Sequence, residues 1–108
     1  MNKPILIVGG GPAGLAAAHA LARVGHNSVL VEKQDRLGGA PILSGYAKLV
    51  PSGEWARDAI GGMVDRVRND PLVDVQTGAQ VESFAGQPGA FSARLSNGTS
   101  VDAAAAIL

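Results

Sequence analysis

Residues 5–32 carry the reading that decides the fold: Ile5-Leu6-Ile7-Val8, then Gly9-Gly10-Gly11-Pro12-Ala13-Gly14, then an alanine- and leucine-rich run through Leu21, Ala22 and Val24, then Gly25, and finally Ser28-Val29-Leu30-Val31-Glu32. Four consecutive apolar residues, three of them β-branched, predict a strand buried on both faces, as in a parallel sheet. The glycines break it. Pro12 suits the first turn of a helix, and Gly25 suits its stop. Ser28–Glu32 reads as a second buried strand. Strand, glycine turn, helix and strand make a βαβ unit, whose right-handed crossover sets the two strands parallel.

Gly9-x-Gly11-x-x-Gly14 is weak in isolation, because glycine-rich turns are common and this chain has 15 glycines in 108 residues. Three features of context strengthen it. It follows an apolar strand, it opens a helix, and an acidic residue, Glu32, ends the next strand 18 residues after Gly14. Each position has a physical task. Gly9 allows the tight turn, Gly11 lets backbone approach a pyrophosphate, and Gly14 lets the helix pack closely. The unpaired amides and positive dipole end of the helix favour phosphate. A dipole end is worth only about 0.3–1 kcal/mol at an exposed site, so amide hydrogen bonds must add to it. Pro12 has no N–H, a small loss at the helix start. Glu32 is expected to accept from adenosine ribose hydroxyls and to repel a 2′-phosphate. That disfavours NADP but leaves FAD and NAD equal.

Composition narrows the remaining classes. Hydrophobic residues make up 46% and charged residues 17%, a globular balance. Nine basic and nine acidic residues cancel, so nothing marks a nucleic-acid partner. The chain contains no cysteine, which removes disulfides, thiolate metal sites and thiol nucleophiles from it. The apolar run after Met1-Asn2-Lys3-Pro4 is too short for a signal peptide or a membrane span, so the expectation is a cytoplasmic protein without a membrane partner.

Beyond Glu32 the periodicity is weaker. Residues 33–51 read as loop, with a short helical turn as the alternative. A helix is expected from about Glu54 to Arg68, with Ser52 as N-cap and with Trp55, Ile60, Met63, Val64 and Val67 on its apolar face. Asp65, Arg66 and Arg68 fall on its solvated side. Asn69-Asp70-Pro71 ends it, and Val73-Asp74-Val75 is a short strand. Val81–Ala85, a Gln87-Pro88-Gly89 turn, the alternating Phe91, Ala93 and Leu95, the Asn97-Gly98 turn and Thr99–Val101 then predict an antiparallel meander over about residues 79–102. Ala103–Leu108 is apolar enough for another buried strand. His19 and His26 lack a paired acid or nucleophile and read as surface or packing residues. Tyr46 and Lys48, in the loop after Gly38-Gly39, read as solvated, with a flavin- or substrate-facing role as the alternative. No metal-ligand spacing and no catalytic acid–base pair stands out, so the catalytic residues stay unassigned.

The segment Glu32-Lys33-Gln34-Asp35-Arg36-Leu37-Gly38-Gly39 resembles the E-x-x-x-R-x-G-G extension of the glutathione-reductase-like flavoproteins with two dinucleotide-binding domains. In that family the extension lies against the FAD pyrophosphate and ribityl region, and a meander is inserted before the fourth parallel strand. The resemblance therefore implies an α/β chain with a Rossmann-like βαβ parallel sheet and an antiparallel β-meander. It also implies FAD as the cofactor. The implied cofactor-binding residues are Gly9, Gly11, Pro12, Ala13, Gly14, Glu32, Lys33, Arg36, Gly38, Gly39 and Val81, the last beside the adenine.

Within that superfamily the chain resembles the heterodisulfide reductase A-subunit family. The cues are Val31-Glu32-Lys33, Leu37-Gly38-Gly39, Met63-Val64-Asp65 with Asn69-Asp70-Pro71, and Val81-Glu82-Ser83-Phe84-Ala85-Gly86-Gln87-Pro88-Gly89-Ala90-Phe91. This implies an oxidoreductase component passing electrons between a thiol–disulfide or pyridine nucleotide couple and partner redox proteins. The chain departs from the family at two places. Gly53–Asp58 lacks the cysteines that archaeal members carry there, and Pro41 and Tyr46 stand near where disulfide reductases place a reactive cysteine pair. The family continues after the last strand with an A-T-G turn, a second nucleotide-binding domain and a late Gly-Asp motif. Residues 1–108 are accordingly expected to be the N-terminal portion of an FAD-binding domain, as a fragment, a cropped domain or a small protein completed by a partner. An NAD-using enzyme on the same fold and a non-catalytic nucleotide-binding module are the alternatives.

Overall fold

The computed structural model describes residues 3–38 and 56–107, with side chains of the second helix from Gly61 onward. The elements are β1 (Ile5–Val8), α1 (Pro12–Arg23), β2 (Ser28–Glu32), α2 (Ala56–Arg68), β3 (Val73–Thr77), β4 (Val81–Gln87), β5 (Ala90–Leu95), β6 (Ser100–Ala103) and β7 (Ala105–Ile107). Strands β3-β2-β1-β7 form a four-stranded sheet, and β4-β5-β6 form a three-stranded one. The first is parallel throughout, with Val8 opposite Val31 and Ile7 opposite Ile107. The second is antiparallel.

Alternation along the central strands builds three layers. On β1, Leu6 faces the meander and joins Val29, Val31, Leu95, Val101 and Ala103 in one core. Ile7, one residue on, faces the helices and joins Leu15, Ala18, Leu30 and Val67 in the other. Successive strand side chains point to opposite faces, so a run such as Val29-Leu30-Val31 must be apolar at every position. All five residues of β2 are buried.

Helix α1 starts at Pro12, where the fixed φ of proline is already helical, and ends at Arg23. The chain then reverses through Gly25 at φ +84°, a region that favours glycine. The meander turns where expected. Gly98, at φ +89°, follows Asn97, and the Leu95 amide donates to the Thr99 carbonyl at 2.8 Å. Phe84 and Phe91 stack across β4 and β5 with ring centroids 4.9 Å apart.

Three expectations need correction. The strand expected to be buried over residues 103–108 is β7, at the sheet edge, where Ala105 and Ile107 are exposed. An apolar run reports affinity for a core, and among the described residues β7 pairs with β1 alone. Val24, read as part of the helical apolar run, is the C-cap and is 71% exposed, because the helix has already stopped. Strands β3 and β4 each run two residues beyond their expected ends, to Thr77 and Gln87. The expectations for Ser52, Glu54, Trp55, Tyr46 and Lys48 fall outside the described residues.

Candidate functional site

The carboxyl ends of β1 and β2 lie side by side, and the glycine turn leaves the sheet there. Gly9 sits at φ +109°, and its amide donates to the Val31 carbonyl at 2.8 Å, closing the turn onto β2. Gly14 is pressed against that turn, since a Cβ on it would run into the Gly9 carbonyl oxygen. Gly11 faces open space, and a Cβ there would meet nothing within 4 Å. Two glycines thus serve the fold, while the third leaves a bare approach to the helix start.

Gly11 caps α1 with no side-chain hydrogen bond, and the first turn holds no acidic residue. The first turn-closing bond runs from the Leu15 amide to the Gly11 carbonyl at 2.9 Å. The amides of Gly11, Ala13 and Gly14 therefore precede the intrahelical ladder, and Pro12 contributes none. Bare amides with an uncompensated dipole are suited to an anion.

Glu32 ends β2 with its side chain buried. The Gly10 amide donates to its Oε1 at 2.7 Å, and the Gln34 amide donates to its Oε2 at 2.7 Å. A carboxylate accepts about four hydrogen bonds, so two positions stay available. Beside it opens a cavity of about 340 Å³ lined by Val8, Gly9, Val31, Glu32, Lys33, Ala79, Gln80 and Val81. Apolar walls with one buried carboxylate among the lining residues are the composition of a small-molecule site. Its place beyond the carboxyl ends of parallel strands is where open α/β sheets take ligands.

The structure gathers Gly9, Glu32, Lys33 and Val81 around this cavity and sets Gly11, Ala13 and Gly14 at the adjoining helix start. Gly38 is tied in through its amide, which donates to the Gly10 carbonyl at 2.7 Å. Arg36 stands outside the cavity lining. Its Nε lies 3.5 Å from Asp35 Oδ1, an exposed pair that screening leaves too weak to pin the side chain. Gly39 is outside the described residues. Six contributors escaped the sequence reading: Val8, Gly10, Val31, Leu37, Ala79 and Gln80. Two had a signal, a third glycine at a free position of the fingerprint and a lone leucine in a charged turn. Among the described residues, no group of three ligating side chains could hold a metal ion. Nor is any described helix long and apolar enough to cross a membrane.

A model of the FAD-dependent oxidoreductase family matches residues 4–100, most of the chain. The chain belongs to the FAD-dependent oxidoreductase family. Among its relatives, the urocanate reductase of Eggerthella lenta is 44% identical over 71 residues, covering 64% of this chain and 12% of that protein. The iron–sulfur subunit of the CoB–CoM heterodisulfide reductase of Methanocaldococcus jannaschii is 35% identical over 91 residues, covering 84% of this chain and 14% of that protein. This family member thus spans about an eighth of the length of such relatives. The fold is similar to that of L-proline dehydrogenase from P. horikoshii, with a TM-score of 0.81 at 20% identity over 98% of this chain and 22% of that one.

Proposed function

We propose that this chain binds FAD through its adenosine diphosphate half and serves as the cofactor-holding portion of an oxidoreductase. One observation carries the reading. Bare amides at the start of α1 and a buried carboxylate with two acceptor positions flank one apolar cavity. The pyrophosphate is assigned to the amides of Gly11, Ala13 and Gly14, where no Cβ stands at Gly11. The ribose is assigned to Glu32, and the adenine to the wall of Val8, Val31, Ala79 and Val81. A carboxylate at the ribose repels a 2′-phosphate, so NADP is disfavoured. Bound FAD supplies the redox chemistry, and these residues supply its binding and orientation.

Membership in a family of FAD-dependent oxidoreductases favours FAD over NAD at this site. The heterodisulfide reductase relatives support a finer reading, in which the assembled protein passes electrons between a thiol–disulfide or pyridine nucleotide couple and partner proteins. An NADH oxidase of Thermoanaerobacter brockii, 36% identical over 85 residues, supports the pyridine nucleotide arm. This chain holds no sulfur nucleophile of its own, so a dithiol in that reaction comes from elsewhere. The small share of its relatives' length that this chain spans supports reading residues 1–108 as the N-terminal portion of an FAD-binding domain.

Calorimetric titration with ADP tests the site. ADP is expected to bind and 2′-phospho-ADP to bind far more weakly. Absence of ADP binding, or equal binding of the two, overturns the assignment.

A further inference from the structure

Leu37 is anomalous where it stands. The four residues before it, Lys33, Gln34, Asp35 and Arg36, are all exposed, yet Leu37 is only 3% exposed. It belongs to the helix-side core with Ile7, Leu15 and Leu30. It also covers the phosphate turn, since a Cβ on Gly10 would lie 2.6 Å from Leu37 Cδ2. Gly10 is held on both sides of its backbone. Its amide donates to Glu32 Oε1 at 2.7 Å, and its carbonyl accepts from the Gly38 amide at 2.7 Å. The second carboxylate oxygen of Glu32 is bound by the amide of Gln34, in the same loop as Leu37. The turn, the carboxylate and the loop of residues 33–38 therefore close on one another, and Leu37 is the large apolar side chain at the centre.

We propose that Leu37 is a positioning residue for ribose recognition: it wedges the 33–38 loop against Gly10, and so holds the Glu32 carboxylate with two acceptor positions turned to a vicinal diol. The inference rests on the assignment of Glu32 to the ribose. Glu32 lines the cavity, and its two backbone donors leave two of about four acceptor positions for two hydroxyls. Loss of the wedge removes the apolar contact that seats the loop. The Gln34 and Gly38 hydrogen bonds then loosen, and the carboxylate is released to solvent. The amides of Ala13 and Gly14 belong to α1, that of Gly11 to its N-cap, and all three keep their places. Sugar recognition should therefore fall while phosphate recognition stays.

The test compares ADP, 2′-deoxy-ADP and inorganic pyrophosphate by calorimetry on the wild type, Leu37→Ala, Leu37→Val and Leu37→Met. A hydrogen bond to a charged group makes the wild type prefer ADP over 2′-deoxy-ADP by about tenfold or more. Leu37→Ala should bring that ratio close to one without changing pyrophosphate binding. Leu37→Val, which is gentler on the fold, should give an intermediate ratio, and Leu37→Met should restore it. The Gly10 amide proton, shifted downfield in the NMR spectrum by its carboxylate partner, should move upfield in Leu37→Ala and stay in Leu37→Met. Equal losses for ADP and 2′-deoxy-ADP, with the wild-type ratio kept in both truncations, overturn the role of Leu37 alone. A wild-type ratio of one overturns it together with the assignment of Glu32.

Discussion

The glycines of the fingerprint are chemically identical and do different work. Gly14 abuts the Gly9 carbonyl, and backbone cannot move aside as a flexible side-chain end can. Gly14→Ala is expected to destabilise the fold by about 2 kcal/mol or more, as overpacking against a rigid neighbour does; urea unfolding measures it. Gly11 faces open space. Gly11→Val should therefore melt within a few degrees of the wild type and yet lose ADP binding. Equal melting losses in both variants would contradict this division. Glu32→Ala belongs to the same scale. It removes the acceptor for Gly10 and Gln34, so both ADP affinity and stability should fall.

At the scale of elements, α1 meets two demands at its start. An acidic side chain in the first turn would favour the helix by about 0.3–1 kcal/mol. It would also neutralise the positive helix end that the proposed phosphates need. Helix α1 has none, and Ala13 is exposed at that end. Ala13→Asp should raise the melting temperature slightly and weaken ADP binding, with the two changes opposite in sign. Strand β2 makes the contrasting case, because its role is to fill two cores. Leu30 is fully buried on the helix side, and Leu30→Ala is expected to cost about 2–5 kcal/mol in chemical denaturation.

At the scale of the molecule, the parallel sheet is sandwiched between helices and meander, and the cavity opens at one end of that sandwich. The meander supplies Val81 to the cavity wall, and Ala79 and Gln80 enter it from the link between β3 and β4. If the adenosine half supplies most of the binding, FAD and ADP should bind this chain with affinities within about tenfold of one another, a difference of about 1.4 kcal/mol. A far tighter FAD complex would show that residues of this chain grip the flavin ring as well.

The βαβ unit, the meander and the glycine turn are all legible in the residues alone. Their signals are local: a buried strand is apolar at every residue, glycine marks the turns, and Asn97-Gly98 marks a hairpin. The place of Glu32 at the end of β2 was legible for the same reason. The sheet order β3-β2-β1-β7 emerged only on folding, and with it the placing of an apolar β7 at an edge. Folding likewise brought Leu37 over Gly10 and gave the Glu32 carboxylate its two backbone donors. The Leu37 and Gly10 contacts join residues more than twenty positions apart in the chain. Which side chains meet across such a gap depends on how layers stack, and local periodicity does not encode stacking.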